Sequence, residues 1–122
     1  ELQKLMWEQA GPFRTGEKLS QALRRIKQMQ QEELPNLRLS QGDAFNLDVQ
    51  DWFELRAMLA TAETVVTAAL ARRESRGAHQ REDFPDSDEA LLKNQVMELK
   101  GGRLVTRWTA PVRWQHNGAG HE

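Results

Sequence analysis

The groups best able to do chemistry lie in one stretch of this chain. His79 stands among Glu74, Glu82 and Asp83, and Arg72, Arg73, Arg76 and Arg81 surround it. A histidine beside a carboxylate can move protons near neutral pH, because its ordinary pKa is about 6.5. Such a pair works only inside a pocket that excludes water, and no pocket-forming element is visible around it. No second His or Cys stands at ligand spacing from His79, so a zinc-type site is not indicated. The other two histidines, His116 and His121, fall in a polar, Gly-containing end. Gly101-Gly102 separates two β-prone runs and opens no helix, so it is not a dinucleotide-binding loop. The arginines that follow the longest helical pattern sit at the negative end of its dipole, the wrong end for anion capture. Two readings of residues 72–85 remain: an interface loop, or a solvated charged loop with internal ion pairs of little net worth. In the first, arginines contact carboxylates or carbonyls across a surface, and Phe84, fixed by Pro85, is an apolar anchor. With no large apolar residue before Phe84, the stretch is expected to lie outside the core.

These residues need a scaffold, and helical periodicity supplies one. Leu2, Leu5 and Met6 predict a short first helix stopped by Gly11-Pro12. A second helix starts after Thr15, a plausible N-cap with Glu17 in the first turn. Its apolar face is Leu19, Ala22, Leu23, Ile26, Met29 and finally Leu34, and Pro35 is expected to end it. Residues 36–45 read as a loop, with Asn46 or Asp48 capping the next helix. Trp52, Leu55, Leu59, Ala62, Val66, Ala69 and Arg73 recur in steps of three and four, an a/d-like seam. Met58, Val65 and Leu70 widen that face. Gly77 is the expected C-cap of this third helix, with Arg72, Arg73 and Arg76 complementing its dipole. Three helices, each with one apolar face, imply a mainly α fold, a three-helix bundle over residues 1–85 including its exit loop. Residues 86–114 form an arm. Asp86, Ser87, Asp88 and Glu89 start a short helical turn, and Gly101-Gly102 joins the strands of a β-hairpin. Residues 115–122 read as a frayed tail.

The chain of 122 residues has a formal net charge of −1 and no cysteine. That balance gives no general attraction to nucleic acid or to an anionic membrane. Neither a disulfide frame nor a thiolate metal site is possible. No apolar run approaches the roughly 20 residues of a membrane span. The first residue is Glu1 rather than Met, which is compatible with a fragment of something longer.

The string Glu74-Ser75-Arg76-Gly77-Ala78-His79, followed by Arg81, Asp83, Phe84 and Pro85, resembles the C-terminal domain of the succinate dehydrogenase and fumarate reductase flavoprotein subunit, with L-aspartate oxidase a more distant relative. Leu5-Met6-Trp7, Phe13-Arg14-Thr15, Phe45-Asn46, Met58-Leu59, Ala69-Leu70 and Asp88-Glu89 extend the resemblance over most of the chain. The resemblance implies a spectrin-repeat-like three-helix bundle with an extended arm. It implies a parent that interconverts succinate and fumarate through FAD, held in preceding flavin-binding and capping domains. This chain would carry no catalytic, cofactor or metal residue. Its signature residues Glu74, Ser75, Arg76, Gly77, His79, Arg81, Asp83 and Phe84 would form a domain interface. The flavin-binding and capping domains are the implied partners, with an iron–sulfur subunit, and with neither nucleic acid nor direct membrane insertion. The implied location is cytoplasmic, the parent peripheral on the cytoplasmic face of the inner membrane. The residues alone leave open a self-standing helical interaction module.

Overall fold

The computed structural model describes residues 1–39 and 47–113. Helix α1 (Leu2–Ala10) is followed by α2 (Gly16–Gln28), which runs through a π turn (Met29–Glu33) into α3 (Leu34–Leu39). Helix α4 (Leu47–Ala71) is the longest element. Thr15 caps α2 as expected, its hydroxyl accepting the Lys18 N–H at 3.2 Å. The α2–α3 rod and α1 both pack on α4, so the bundle has three rods. Its core is Leu2, Ala10, Leu19, Ala22, Ile26, Met29, Leu34, Leu59, Ala62, Val66 and Ala69. Among the described residues, no helix is long and apolar enough to cross a membrane.

Three expectations change. Pro35 does not end the second helix. The π turn lies directly before it, where the Leu34 N–H reaches back five residues to the Met29 carbonyl. A wider turn relieves the clash between a proline ring and the carbonyl four residues back, so the rod continues into α3. Met58 and Val65 do not widen the buried face of α4; they are 42% and 41% exposed. The buried seam is the narrower row through Leu59, Ala62, Val66 and Ala69, flanked by half-buried Trp52, Leu55 and Leu70. Finally, α4 stops at Ala71, six residues before Gly77, because other groups take its last carbonyls, as described below. Asn46 lies outside the described residues, as do residues 40–45 of the expected loop and the expected frayed tail.

A 3₁₀ turn (Glu89–Leu91), capped by the Asp88 carboxylate on the Ala90 N–H, leads into the hairpin. Strands β1 (Asn94–Lys100) and β2 (Arg103–Thr109) pair antiparallel, with Lys100 opposite Arg103 and Gln95 opposite Trp108. Both turn residues, Gly101 and Gly102, have positive φ, which two adjacent glycines reach without a Cβ penalty. A lone hairpin is marginal, and this one leans on the end of α4. Gln95 Nε2 donates to the Ala68 carbonyl at 3.0 Å, and the Arg72 guanidinium lies 4.8 Å from the Trp108 ring centroid.

Leu59 and Met58 are sequence neighbours, the first in the seam and the second outside it. Leu59→Ala is expected to destabilise the chain by about 2–5 kcal/mol and Met58→Ala by less than about 1 kcal/mol, read as urea unfolding free energies. Equal losses would mean that the seam faces elsewhere.

Candidate functional site

Between α4 and the 3₁₀ turn the chain folds into two successive tight turns. Arg76 and His79 exchange backbone hydrogen bonds of 2.8 and 3.0 Å across the first. Gly77 sits there at φ +57°, so the glycine serves this turn and not the helix end. The Phe84 N–H closes the second turn onto the Arg81 carbonyl at 3.1 Å. Ser75 ties the two together. Its hydroxyl accepts the Arg81 N–H at 2.9 Å and donates to the Phe84 carbonyl at 2.8 Å.

Contrary to expectation, part of this polar stretch is core. Glu74, Ser75 and Arg81 are buried, at 0%, 7% and 3% exposure. Burial of unpaired charge is expensive, so the partners decide whether this arrangement holds. Arg81 forms a bidentate pair with Asp83, at 2.8 and 2.7 Å. Its Nη1 also donates to the carbonyls of Ala69 and Leu70 at 3.1 and 3.3 Å. These carbonyls belong to the unsatisfied last turn of α4, where a cation is favoured. The sequence offers Arg72, Arg73 and Arg76 for that place; the guanidinium that occupies it comes from Arg81. Asp83 in turn accepts the Gly16 N–H at 2.9 Å, at the positive start of α2. A Cβ on Gly16 would stand 2.9 Å from Arg81 Nη2 and 3.0 Å from Asp83 Oδ2, so a larger residue here would push against the Arg81–Asp83 pair. Hydrogen bonding to Arg81 holds the Asp83 carboxyl well below its ordinary range, against burial and with help from the Gly16 N–H.

Glu74 anchors the other half of the loop. It accepts from Arg72 Nη1, from Arg76 Nε and Nη2 at 3.1 and 3.2 Å, and from the Asp88 N–H at 2.7 Å. Burial pushes its carboxyl up; the bonds from Arg76, Asp88 and Arg72 outweigh it and hold Glu74 down at about 2. Arg72 also donates to the carbonyls of Leu91 and Lys93 at 2.9 and 2.8 Å, binding the hairpin's base to the helix end. An open cleft of about 350 Å³ beside it is lined by Arg72, Arg76, His79 and Lys93, among others. Arg73 is exposed.

His79 is held by both ring nitrogens. Arg14 Nη1 lies 3.0 Å from Nδ1, and Nε2 lies 3.0 Å from the Arg72 carbonyl. A guanidinium only donates, so Nδ1 accepts and Nε2 carries the proton given to Arg72. Burial lowers the imidazole pKa, and the charges of Arg14, Arg81 and Arg72 lower it further, against the bond to the Arg72 carbonyl. Arg14 Nε meanwhile binds the Ala10 and Gly11 carbonyls at the end of α1. Its backbone accepts the Glu82 N–H at 2.7 Å and donates to Gln80 at 3.0 Å. No local pattern marks the roles of Arg14 and Gly16; only their distant partners do. Phe84 is 37% exposed, with its ring centroid 5.0 Å from the Arg81 guanidinium.

The fold recurs in known proteins. The family described as "Fumarate reductase flavoprotein C-term" matches residues 1–117. The chain belongs to this family. It is 35% identical over 118 residues to the fumarate reductase flavoprotein subunit of Mycobacterium tuberculosis, covering 88% of this chain and 20% of that protein. With L-aspartate oxidase of Yersinia pestis it shares 41% identity over 92 residues, 73% of this chain and 16% of the oxidase. Among solved structures, Sdh1 of Mycobacterium smegmatis in complex with UQ1 superposes with a TM-score of 0.77 at 30% identity, covering 90% of this chain and 19% of Sdh1. The FrdA chain of E. coli quinol fumarate reductase does so with a TM-score of 0.76 at 28% identity, covering 90% of this chain and 21% of FrdA. The chain thus spans about a fifth of the length of the proteins it matches. Its fold is that of the C-terminal domain of succinate dehydrogenase and fumarate reductase flavoproteins.

Two acid sensitivities follow. Glu74 binds its proton less readily folded, at about 2, than its ordinary 4.5, so its contribution is complete above pH 4.5 and is lost as pH falls toward 2. Glu74→Ala should lower stability by about 2–4 kcal/mol at pH 7, below the top of the range for broken buried pairs because Arg76 keeps part of its surface in water. Glu74→Gln should flatten the acid limb; a limb unchanged in that variant would reject the assignment. His79 also has a lowered pKa, so its neutral form is the folded one. Its contribution is full above its ordinary 6.5 and declines as pH falls below that value. Thermal melts should show this decline in the wild type and lose it in His79→Gln.

Proposed function

We propose that this chain is a supporting domain of an FAD-dependent dicarboxylate oxidoreductase, and that it performs none of the chemistry itself. The observation that carries the reading is the use made of the signature. Its ionisable groups, the ones that could serve catalysis, are engaged inside the chain. Both nitrogens of His79 are occupied, Arg81 joins two helix ends, and Glu74 is enclosed by its donors. Such groups hold a shape and leave no proton carrier poised for a substrate. Family membership and the short span relative to the matched proteins support a reading in which the flavin is held elsewhere in a longer polypeptide, in flavin-binding and capping domains. The isolated chain then binds no FAD. The parent is peripheral at the cytoplasmic face of the inner membrane and works with an iron–sulfur subunit, while the domain contacts neither nucleic acid nor lipid.

In this reading the signature meets the parent's body through its exposed rim, Gly77 and Phe84 with the free edge of Arg76. Glu74, Ser75, His79, Arg81 and Asp83 set the shape of that rim. The parent's reaction is succinate–fumarate interconversion by hydride transfer through FAD. A second reading, oxidation of L-aspartate, is favoured by the 41% identity with the Yersinia pestis oxidase.

Titrating the 122-residue chain with FAD should leave flavin fluorescence unquenched. The full-length gene product should purify with bound flavin, and assays with succinate, fumarate and L-aspartate separate the two readings. Stoichiometric quenching by the chain alone would sink the supporting-domain proposal.

A further inference from the structure

Helix α4 is apolar on two sides and covered on one. From Ala57 to Ala71 it has a single charged residue, Glu63, which accepts from Gln30 at 3.0 Å. That is about 22 Å of helix. The seam through Leu59, Ala62 and Val66 faces the bundle. The opposite side presents Phe53, Ala57, Ala60, Thr61, Thr64 and Val65. Phe53 and Val65 are 53% and 41% exposed, and Thr64 is half-buried.

The two threonines do not make this side polar. Thr61 Oγ1 donates to the Ala57 carbonyl at 3.0 Å and Thr64 Oγ1 to the Ala60 carbonyl at 2.9 Å. Each hydroxyl donor is thereby turned back on the helix, leaving the methyl as the outward group. Charge returns at the N-terminal margin, with Glu54 and Arg56, and the hairpin reaches the C-terminal margin, where Gln95 bonds the Ala68 carbonyl. Between those margins lies a face with no ionic group and with mostly small side chains that allow close approach. A helix apolar all round belongs in the interior of a larger protein.

Resting on the supporting-domain reading above, we propose that the outer face of α4 from Ala57 to Val65, with Phe53 at its edge, seats this domain on an apolar surface of the flavin-bearing remainder of its polypeptide. The occupant follows from chain length. In the matched proteins about four-fifths of the polypeptide lies outside the region this chain covers, and that mass is covalently joined to the domain. Attachment makes the effective concentration high, so a modest uncharged face is enough. Contacts between domains of one chain commonly bury about 600–1,500 Å².

The test uses the full-length gene product. Ala60→Lys combined with Thr64→Lys places two cations on the face at only a small cost to the helix itself, since lysine is a better helix former than threonine and close to alanine, and like charges four residues apart repel weakly. Expected results are a melting temperature lowered by about 5 °C or more and at least a severalfold loss of bound FAD after gel filtration. Thr64→Val, which keeps the shape and the methyl, should behave as wild type. Gln21→Lys, on the exposed side of α2, should do the same. A flavin-bearing product whose double-lysine variant melts and retains FAD as wild type would overturn the face assignment. So would a dimer that the double variant splits, since the face would then join two copies. A gene product with no flavin and no mass beyond this chain would instead defeat the supporting-domain reading, and the proposal with it.

Discussion

The position of the Arg81 guanidinium governs the rest of the structure. It is almost fully buried, and it sits between the negative end of one helix and a carboxylate that caps the positive start of another. Remove it and the last carbonyls of α4 lose their donor, Asp83 becomes an uncompensated charge, and the amide at Gly16 loses an ordered acceptor. The two turns that carry the signature have few apolar contacts of their own. They keep their form because this ion, together with Glu74 and Ser75, has a partner in nearly every direction. A buried ion pair is weak evidence for stability as such, since an apolar replacement can do as well. Its effect here is positional: it fixes where α4 ends and how α2 begins.

Much of the bundle was legible in the chain, because a buried stripe must recur at helical spacing. Leu19, Ala22, Ile26 and Met29 on one rod and Leu59, Ala62, Val66 and Ala69 on another all lie where periodicity puts them. The Thr15 cap and the paired glycines at 101 and 102 are equally local, and both hold. The misses are non-local. Pro35 signals a stop, but a π turn ahead of it removes the clash. Gly77 looks like a helix cap, but the helix has already been ended by a guanidinium from twelve residues beyond Ala69. Met58 and Val65 share the apolar character of the seam but not its direction, and composition cannot tell a face turned to the core from one turned outward.

The signature shows a related limit. Its charges suggest a solvated loop when each residue is taken with its sequence neighbours. Beside the pairs it makes within itself, its partners are Arg14, Gly16 and the end of α4, and only the tertiary fold brings these together. Resemblance identified the string as distinctive, while the geometry explains which atoms each residue serves. His79 passes in this way from a proton carrier to a strut between α1–α2 and α4.

The clip between the loop and the start of α2 has a kinetic consequence. Gly16 and Asp83 are 67 residues apart in sequence, and Arg14 and His79 are 65 apart. Closing so long a loop in an unstructured chain is entropically unfavourable, whereas helices that have already docked bring the ends close. These contacts therefore form late, after the bundle has condensed, and are among the first to be released. Interactions made after the rate-limiting step act mainly on escape from the native state. The signature loop is thus a closing clasp: it governs how long the assembled bundle persists, and has little influence on how quickly the helices find one another.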